Sequence, residues 1–200
     1  LKGYDVPVYT NIPYPFMAYQ EIFGTNNGVK VVPPFIPHDW NPVGSYKRNF
    51  TVSSEWSNKE VFLHFGAVSS AFYVWVNEQL VGYSQGSKVP AEFNISKYLK
   101  KGNNSLAVEV YRWSDGSYLE DQDFFRLSGI QRTVYLHVRP KTFIRDFFAV
   151  GDLGNSYNDG HLKLDISLKG TGTELTDVVV ETSLFDGENK IYNESKDVKV

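Results

Sequence analysis

One pattern constrains this chain more than any other. Short runs of β-branched and aromatic residues alternate with polar ones, turn residues separate them, and helical periodicity is almost absent. Ser45 to Val52 places Tyr46, Phe50 and Val52 on one face, and Glu60 to Phe65 follows. Ala71 to Asn77 and Gln79 to Tyr83 form a pair joined through Asn77-Glu78, which predicts a tight hairpin. Ser105 to Trp113 and Thr133 to Val138 complete the set. Such compositions suit half-buried strands. The best helical stretch, Ile95 to Lys100, is too short to be a stable helix. Strands at this spacing with no helices between them predict a sandwich or jelly roll.

The opening of the chain differs. Pro7, Pro13, Pro15, Pro33, Pro34, Pro37 and Pro42 crowd residues 1–43. Proline lacks a ladder donor, so this stretch is expected to be an extended arm over the body, fastened by aromatics such as Tyr9, Tyr14 and Phe35. A second unit is expected from about residue 141. Phe143 to Val150, His161 to Lys169 and Thr176 to Phe185 are strand-like, and Asp186-Gly187 turns into Lys190-Ile191-Tyr192. That is about half of an immunoglobulin-like sandwich, which takes roughly 100 residues. The chain starts at Leu1 and ends at Val200, and both ends read as cuts in a longer protein.

Composition narrows the function. Hydrophobic residues make up 42% and aromatics 16%, which argues against disorder. Against 23 Asp and Glu stand 20 Lys and Arg, with no basic stripe for nucleic acid. No apolar run reaches the roughly 20 residues of a membrane helix, and no basic amphipathic stretch suits a membrane surface. There is no cysteine, so disulfides and thiolate metal sites are excluded and a cytoplasmic or periplasmic home fits equally. Phosphate-binding loops, His-Glu-x-x-His and Gly-x-Ser-x-Gly are missing. His38, His64, His137 and His161 are isolated in sequence, and a lone strand histidine is more often structural than a ligand. Trp75 and Trp113 follow strand alternation and are expected in the core, which leaves Trp40 as a free stacking surface.

Chemistry concentrates in Ser114 to Arg126, where Asp115, Glu120, Asp121 and Asp123 lie beside Trp113, Phe124 and Phe125. Acids beside aromatics need cations or donors. Three readings are open: a solvated loop, an oxygen-ligand site for Na⁺, Mg²⁺ or Ca²⁺, or a carboxylate that accepts sugar hydroxyl protons.

This same segment resembles a known family. Arg112-Trp113-Ser114-Asp115-Gly116-Ser117-Tyr118-Leu119-Glu120-Asp121-Gln122-Asp123, continuing to Ser128-Gly129-Ile130-Gln131-Arg132, is similar to the large bacterial β-galactosidases of glycoside hydrolase family 2. Gly3 to Asn11, Pro33 to Pro37, Asn41 to Tyr46, Trp75-Val76-Asn77 and Val81 to Ser87 resemble the family as well. β-Glucuronidases of the family share only the shorter Gly-Ile-x-Arg core. The resemblance implies a jelly-roll sugar-binding domain, galactose-binding-domain-like, over residues 1–140. Part of an immunoglobulin-like domain over 141–200 then follows. A TIM barrel with two catalytic glutamates belongs further along such proteins, and no barrel signature is found here. The implied role is a non-catalytic portion of a retaining β-galactosidase that completes the barrel's substrate pocket. The alternatives are an autonomous carbohydrate-binding module or part of another family 2 enzyme such as a β-glucuronidase.

The resemblance also implies site residues. Asn11 and Asp123 match galactose-contacting residues, and Asp123 also matches a Na⁺ ligand shared with the barrel. Gln85 and Asp115 match a peripheral Mg²⁺ site that draws further ligands from a preceding segment. Phe124-Phe125 departs from members with Met-Trp there. The implied partners are a galactoside, the rest of the parent chain and further copies of the parent, with neither nucleic acid nor membrane.

Overall fold

The computed structural model describes residues 8–10, 33–36, 38, 41–120, 122–172 and 175–200. Asn11, Trp40, Asp121 and most of the proline-rich arm lie outside the described residues. The chain divides into two compact units, Leu1–Val138 and Arg139–Val200.

In the first unit the strands are β1 (Val8–Thr10), β2 (Val43–Thr51), β3 (Glu60–Phe65), β4 (Val68–Ser69), β5 (Ala71–Val76) and β6 (Gln79–Gln85). They continue with β7 (Ala91–Asn94), β8 (Asn103–Tyr111), β9 (Phe124–Arg126), β10 (Gly129–Ile130) and β11 (Val134–Arg139). A four-stranded sheet runs β2-β8-β5-β6 and a three-stranded sheet runs β11-β3-β7. Because side chains alternate across a strand, Val61, Leu63 and Phe65 of β3 lie on one face, as do Phe72, Val74 and Val76 of β5 and Val108 and Val110 of β8. These faces form the buried core together with Ile95. Ile95 to Lys100 holds only a 3₁₀ turn, Ser96–Tyr98.

The Asn77-Glu78 hairpin has both central residues at positive φ, 51° and 68°. That is the type I′ geometry whose twist matches the flanking strands. Two small ladders extend the sandwich: β4 with β10, and β1 with β9. The second draws part of the arm, Val8–Thr10, into antiparallel pairing with Phe124–Arg126.

The second unit holds two antiparallel pairs, β12 (Thr142–Leu153) with β13 (Gly160–Gly170) and β14 (Asp177–Asp186) with β15 (Asn189–Lys199). A cleft of about 840 Å³ lies between the pairs, lined by Leu162, Leu164, Ile166, Leu168, Val180 and Val198 among others. Among the described residues of this unit, Phe143 is the one buried hydrophobic side chain.

Trp113 is 4% exposed, as a core residue should be. Trp75 is not in the core. It stands with Tyr73 on the outward face of β5, opposite buried Phe72, Val74 and Val76. Tyr73 gathers Trp75, Tyr83 and Tyr111 around it at 4.8 to 6.0 Å between ring centroids. Both faces of this strand are large and apolar, so alternation alone cannot say which points inward.

Candidate functional site

The loop from β8 to β9 carries the acids. It begins with Arg112 and Trp113, both buried, with the Arg112 guanidinium 5.0 Å from the Trp113 ring centroid. Asn41 pins this start from both sides. Its Nδ2 donates to the Trp113 carbonyl at 2.9 Å, and its Oδ1 accepts from the Trp113 amide at 2.9 Å. A 3₁₀ turn, Asp115–Tyr118, follows. Ser117 closes it, its amide donating to the Ser114 carbonyl at 2.9 Å while its Oγ accepts from the Ser114 amide at 3.1 Å.

The three described acids point to three places. Asp115 borders an outward cleft of about 490 Å³ shared with Asn41, Tyr73, Tyr83 and Tyr111. Glu120 turns toward the chain after β6, where the Ser87 amide donates to its Oε1 at 2.9 Å and the Ser87 hydroxyl donates to its Oε2. Asp123 is exposed, immediately before β9. The described acids therefore do not converge on a single cation cluster. Among the described residues no group of three His, Cys, Asp or Glu side chains is placed to hold a metal.

Arg126, 9% exposed, closes the end of the loop. Its Nη1 donates to the Glu120 carbonyl and its Nη2 to the Gln122 carbonyl at 2.7 Å. On the far side, β9 is held by β1 in the register Val8↔Arg126, Tyr9↔Phe125 and Thr10↔Phe124. Thr10 precedes Asn11 in the chain and Phe124 follows Asp123. Asp123 thus stands one residue before the Phe124 end of this ladder. Gly129, within the Gly-Ile-x-Arg run, has φ +98°, and a Cβ there would sit 2.9 Å from the Tyr46 hydroxyl. Only glycine satisfies both demands.

Gln85 and Asp115 meet around one phenol. The Tyr83 hydroxyl donates to Gln85 Oε1 at 2.8 Å. Burial first, then the nearby Asp115 charge, raises the Tyr83 pKa above its ordinary 10.0. Burial likewise lowers Lys88 from 10.5, against the opposing pull of Glu120.

One cluster escaped the sequence reading. On the outward face of the three-stranded sheet, Glu92 Oε2 lies 2.8 Å from His137 Nε2 and 4.0 Å from His64 Nδ1. His137 stacks on Phe62 and His64 on Tyr135. The residues are far apart in sequence, and only the β11-β3-β7 strand order brings them together. Their apolar stacking fits the structural role expected of strand histidines.

Comparison with known proteins places this β-sandwich and its pinned loop. Residues 1–140 match the family described as glycosyl hydrolases family 2, sugar binding domain, and the chain belongs to that family. It is 48% identical over 187 residues to a beta-galactosidase of Priestia megaterium, covering 93% of this chain and 17% of that protein. It is 43% identical to the Clostridium acetobutylicum beta-galactosidase, covering 96% and 20%. The chain thus spans about a fifth or less of the length of these relatives. Among solved structures, a Bacteroides uniformis beta-glucuronidase superposes with a TM-score of 0.73 at 20% identity, covering 79% of this chain and 20% of that one. At that identity the likeness concerns the fold.

Proposed function

We propose that this chain is the non-catalytic sugar-binding portion of a retaining β-galactosidase, and that its β8–β9 loop completes a substrate pocket in a TIM barrel elsewhere in the protein. The observation that carries this reading is the β1–β9 ladder, which fastens the strand that begins one residue after Asp123. In such enzymes one carboxylate attacks the anomeric carbon and a second protonates the leaving oxygen, about 5–5.5 Å away. Those groups belong to the barrel. Asp123 has the complementary task. An ionised carboxylate accepts from two sugar hydroxyls and can share an oxygen with Na⁺. Its exposure at the loop's end suits a group that meets its ligand and the barrel together. The relatives at 41–48% identity are beta-galactosidases, which supports galactoside over glucuronide.

Gln85 and Asp115 suit a hard cation as oxygen donors. Mg²⁺ takes about six ligands, so they would supply only part of its shell. Further copies of the parent are proposed partners on the same family grounds.

Asp123→Ala in the full-length protein tests the main reading. Galactoside turnover should fall by a factor equivalent to about 2–4 kcal/mol of transition-state stabilisation, and Na⁺ activation should vanish. Wild-type kinetics with Na⁺ dependence intact would refute it.

The outward aromatic group of Tyr73, Trp75, Tyr83 and Tyr111 favours a second reading, an autonomous carbohydrate-binding module, because sugar rings stack on such faces. An NMR titration of the chain with galactose separates the two. Saturable shifts at the Trp75 indole and Tyr83 support the module, whereas no shifts up to high millimolar sugar support a half-site that needs the barrel.

A further inference from the structure

We infer that Arg126 and Glu120 are positioning residues that act through Asp123, holding its backbone where the galactoside and Na⁺ require it. The inference rests on the role proposed above for Asp123.

The geometry is that of a clamp closed around one residue. Glu120 and Arg126 stand three positions before and three after Asp123. The Arg126 guanidinium is largely buried and reaches back to two backbone carbonyls, those of Glu120 and Gln122. One rigid fork therefore holds the carbonyls of Glu120 and Gln122, the second of which immediately precedes Asp123. The five donors of arginine permit this double hold, while a lysine ammonium acts as a single compact charge. The Glu120 side chain then ties that segment to the body, because its carboxylate accepts from both the amide and the hydroxyl of Ser87. Downstream, the backbone of Arg126 itself lies opposite Val8 in the β1–β9 ladder. Asp123 thus sits between two anchors contributed by one arginine, its side chain before and its strand after. The side chain of Asp123 is left at the surface. An exposed carboxylate on a restrained backbone is the arrangement that presents a ligand group to a partner surface with little ordering left to do on binding.

A double-mutant cycle in the full-length protein tests this. In the wild-type background, Arg126→Lys should lower kcat/KM for a β-galactoside and raise the half-activating Na⁺ concentration, each by about tenfold. In the Asp123→Ala background the same change should move kcat/KM by less than about twofold, because the residue it positions is gone. A purely structural arginine would lower activity by the same factor in both backgrounds, and that result overturns the inference, as does an Arg126→Lys enzyme with wild-type Na⁺ response. If Asp123→Ala alone has no effect, the role of Asp123 falls and the inference with it. A strong Asp123→Ala effect with additive Arg126→Lys removes the inference alone. Should Arg126→Lys not fold, Ser87→Ala, which strips one donor from Glu120, serves as the milder probe. It should shift the Na⁺ response in the same direction by about threefold and be silent in Asp123→Ala. Equal loss in both backgrounds counts against the clamp.

Discussion

Tyr83 and Tyr111 share the outward cleft of the four-stranded sheet, and both phenols are held protonated beyond their ordinary range. For Tyr83 burial dominates, followed by Asp115 and Tyr73. For Tyr111 burial is again first, followed by Glu109. A folded pKa raised above the unfolded value means that the native state holds protons longer. The associated stability is full below the unfolded value of 10.0 and is lost as pH rises through the higher folded values. Unfolding midpoints should therefore fall above about pH 10, and Tyr83→Phe with Tyr111→Phe should flatten that fall. An alkaline limb unchanged in the double variant would mean that other groups control it. Lys88 is a rival group in the same range, but its lowered pKa acts with opposite sign, relieving a burial cost as pH rises. At this scale the sequence was readable where chemistry and neighbours coincide. Trp113 obeys its strand and is buried as its alternation demands. Trp75 was misassigned because Phe72, Val74 and Val76 compete with Tyr73 and Trp75 for the same inward face, and a bulge between Val74 and Trp75 blurs the period further.

Between β7 and β8, and at the β5–β6 hairpin, one buried amide organises several turns at once. Asn104 is 1% exposed. Its Nδ2 donates to the carbonyls of Lys100 and Gly102, both at 3.0 Å, and its Oδ1 accepts from the Lys100 amide and Asn77 Nδ2, both at 2.8 Å. Asn77 in turn donates to the Tyr98 carbonyl at 2.8 Å and accepts from the Ser105 amide at 3.0 Å. Removing the hub leaves buried donors and acceptors without partners, the costly side of hydrogen-bond energetics. Asn104→Leu should lower stability to urea by about 3 kcal/mol, while Asn103→Ala, at an exposed neighbour, should stay within about 0.5 kcal/mol. Equal effects at the two positions would contradict the hub. In Asn103-Asn104 the sequence offers two identical side chains, and only the register of β8 decides which one turns inward. The β5–β6 turn was legible because two residues between alternating runs demand a primed turn. The Glu92 group was not, because it depends on strand order across the sheet.

On the scale of the whole chain the two units differ in how they treat apolar surface. In residues 1–138 the sandwich closes over Val61, Leu63, Phe65, Val74, Val76 and Ile95, each at 2% exposure or less. In residues 139–200 the strand pattern is as regular, yet Phe147 is 66% exposed, Phe148 65%, Ile191 61% and Phe185 54%. Alternation in the sequence foretold the strands of both units equally well, since period is a local property. Whether two pairs of strands suffice to cover each other's faces is not local, and here they leave an open cleft. Apolar surface on this scale is rare on soluble monomers and marks interaction sites or association. The isolated chain should therefore brighten a hydrophobic dye such as ANS and associate as its concentration rises. Phe147→Ser with Phe148→Ser should reduce both effects while leaving the unfolding midpoint of residues 1–138 unmoved, because those rings belong to the other unit and the Phe65–Val74 core is built from residues 50–138. Sedimentation velocity together with dye titration measures this. A chain that stays monomeric at high concentration and leaves the dye dark would mean that residues 139–200 cover these faces in solution, and that the open cleft does not persist.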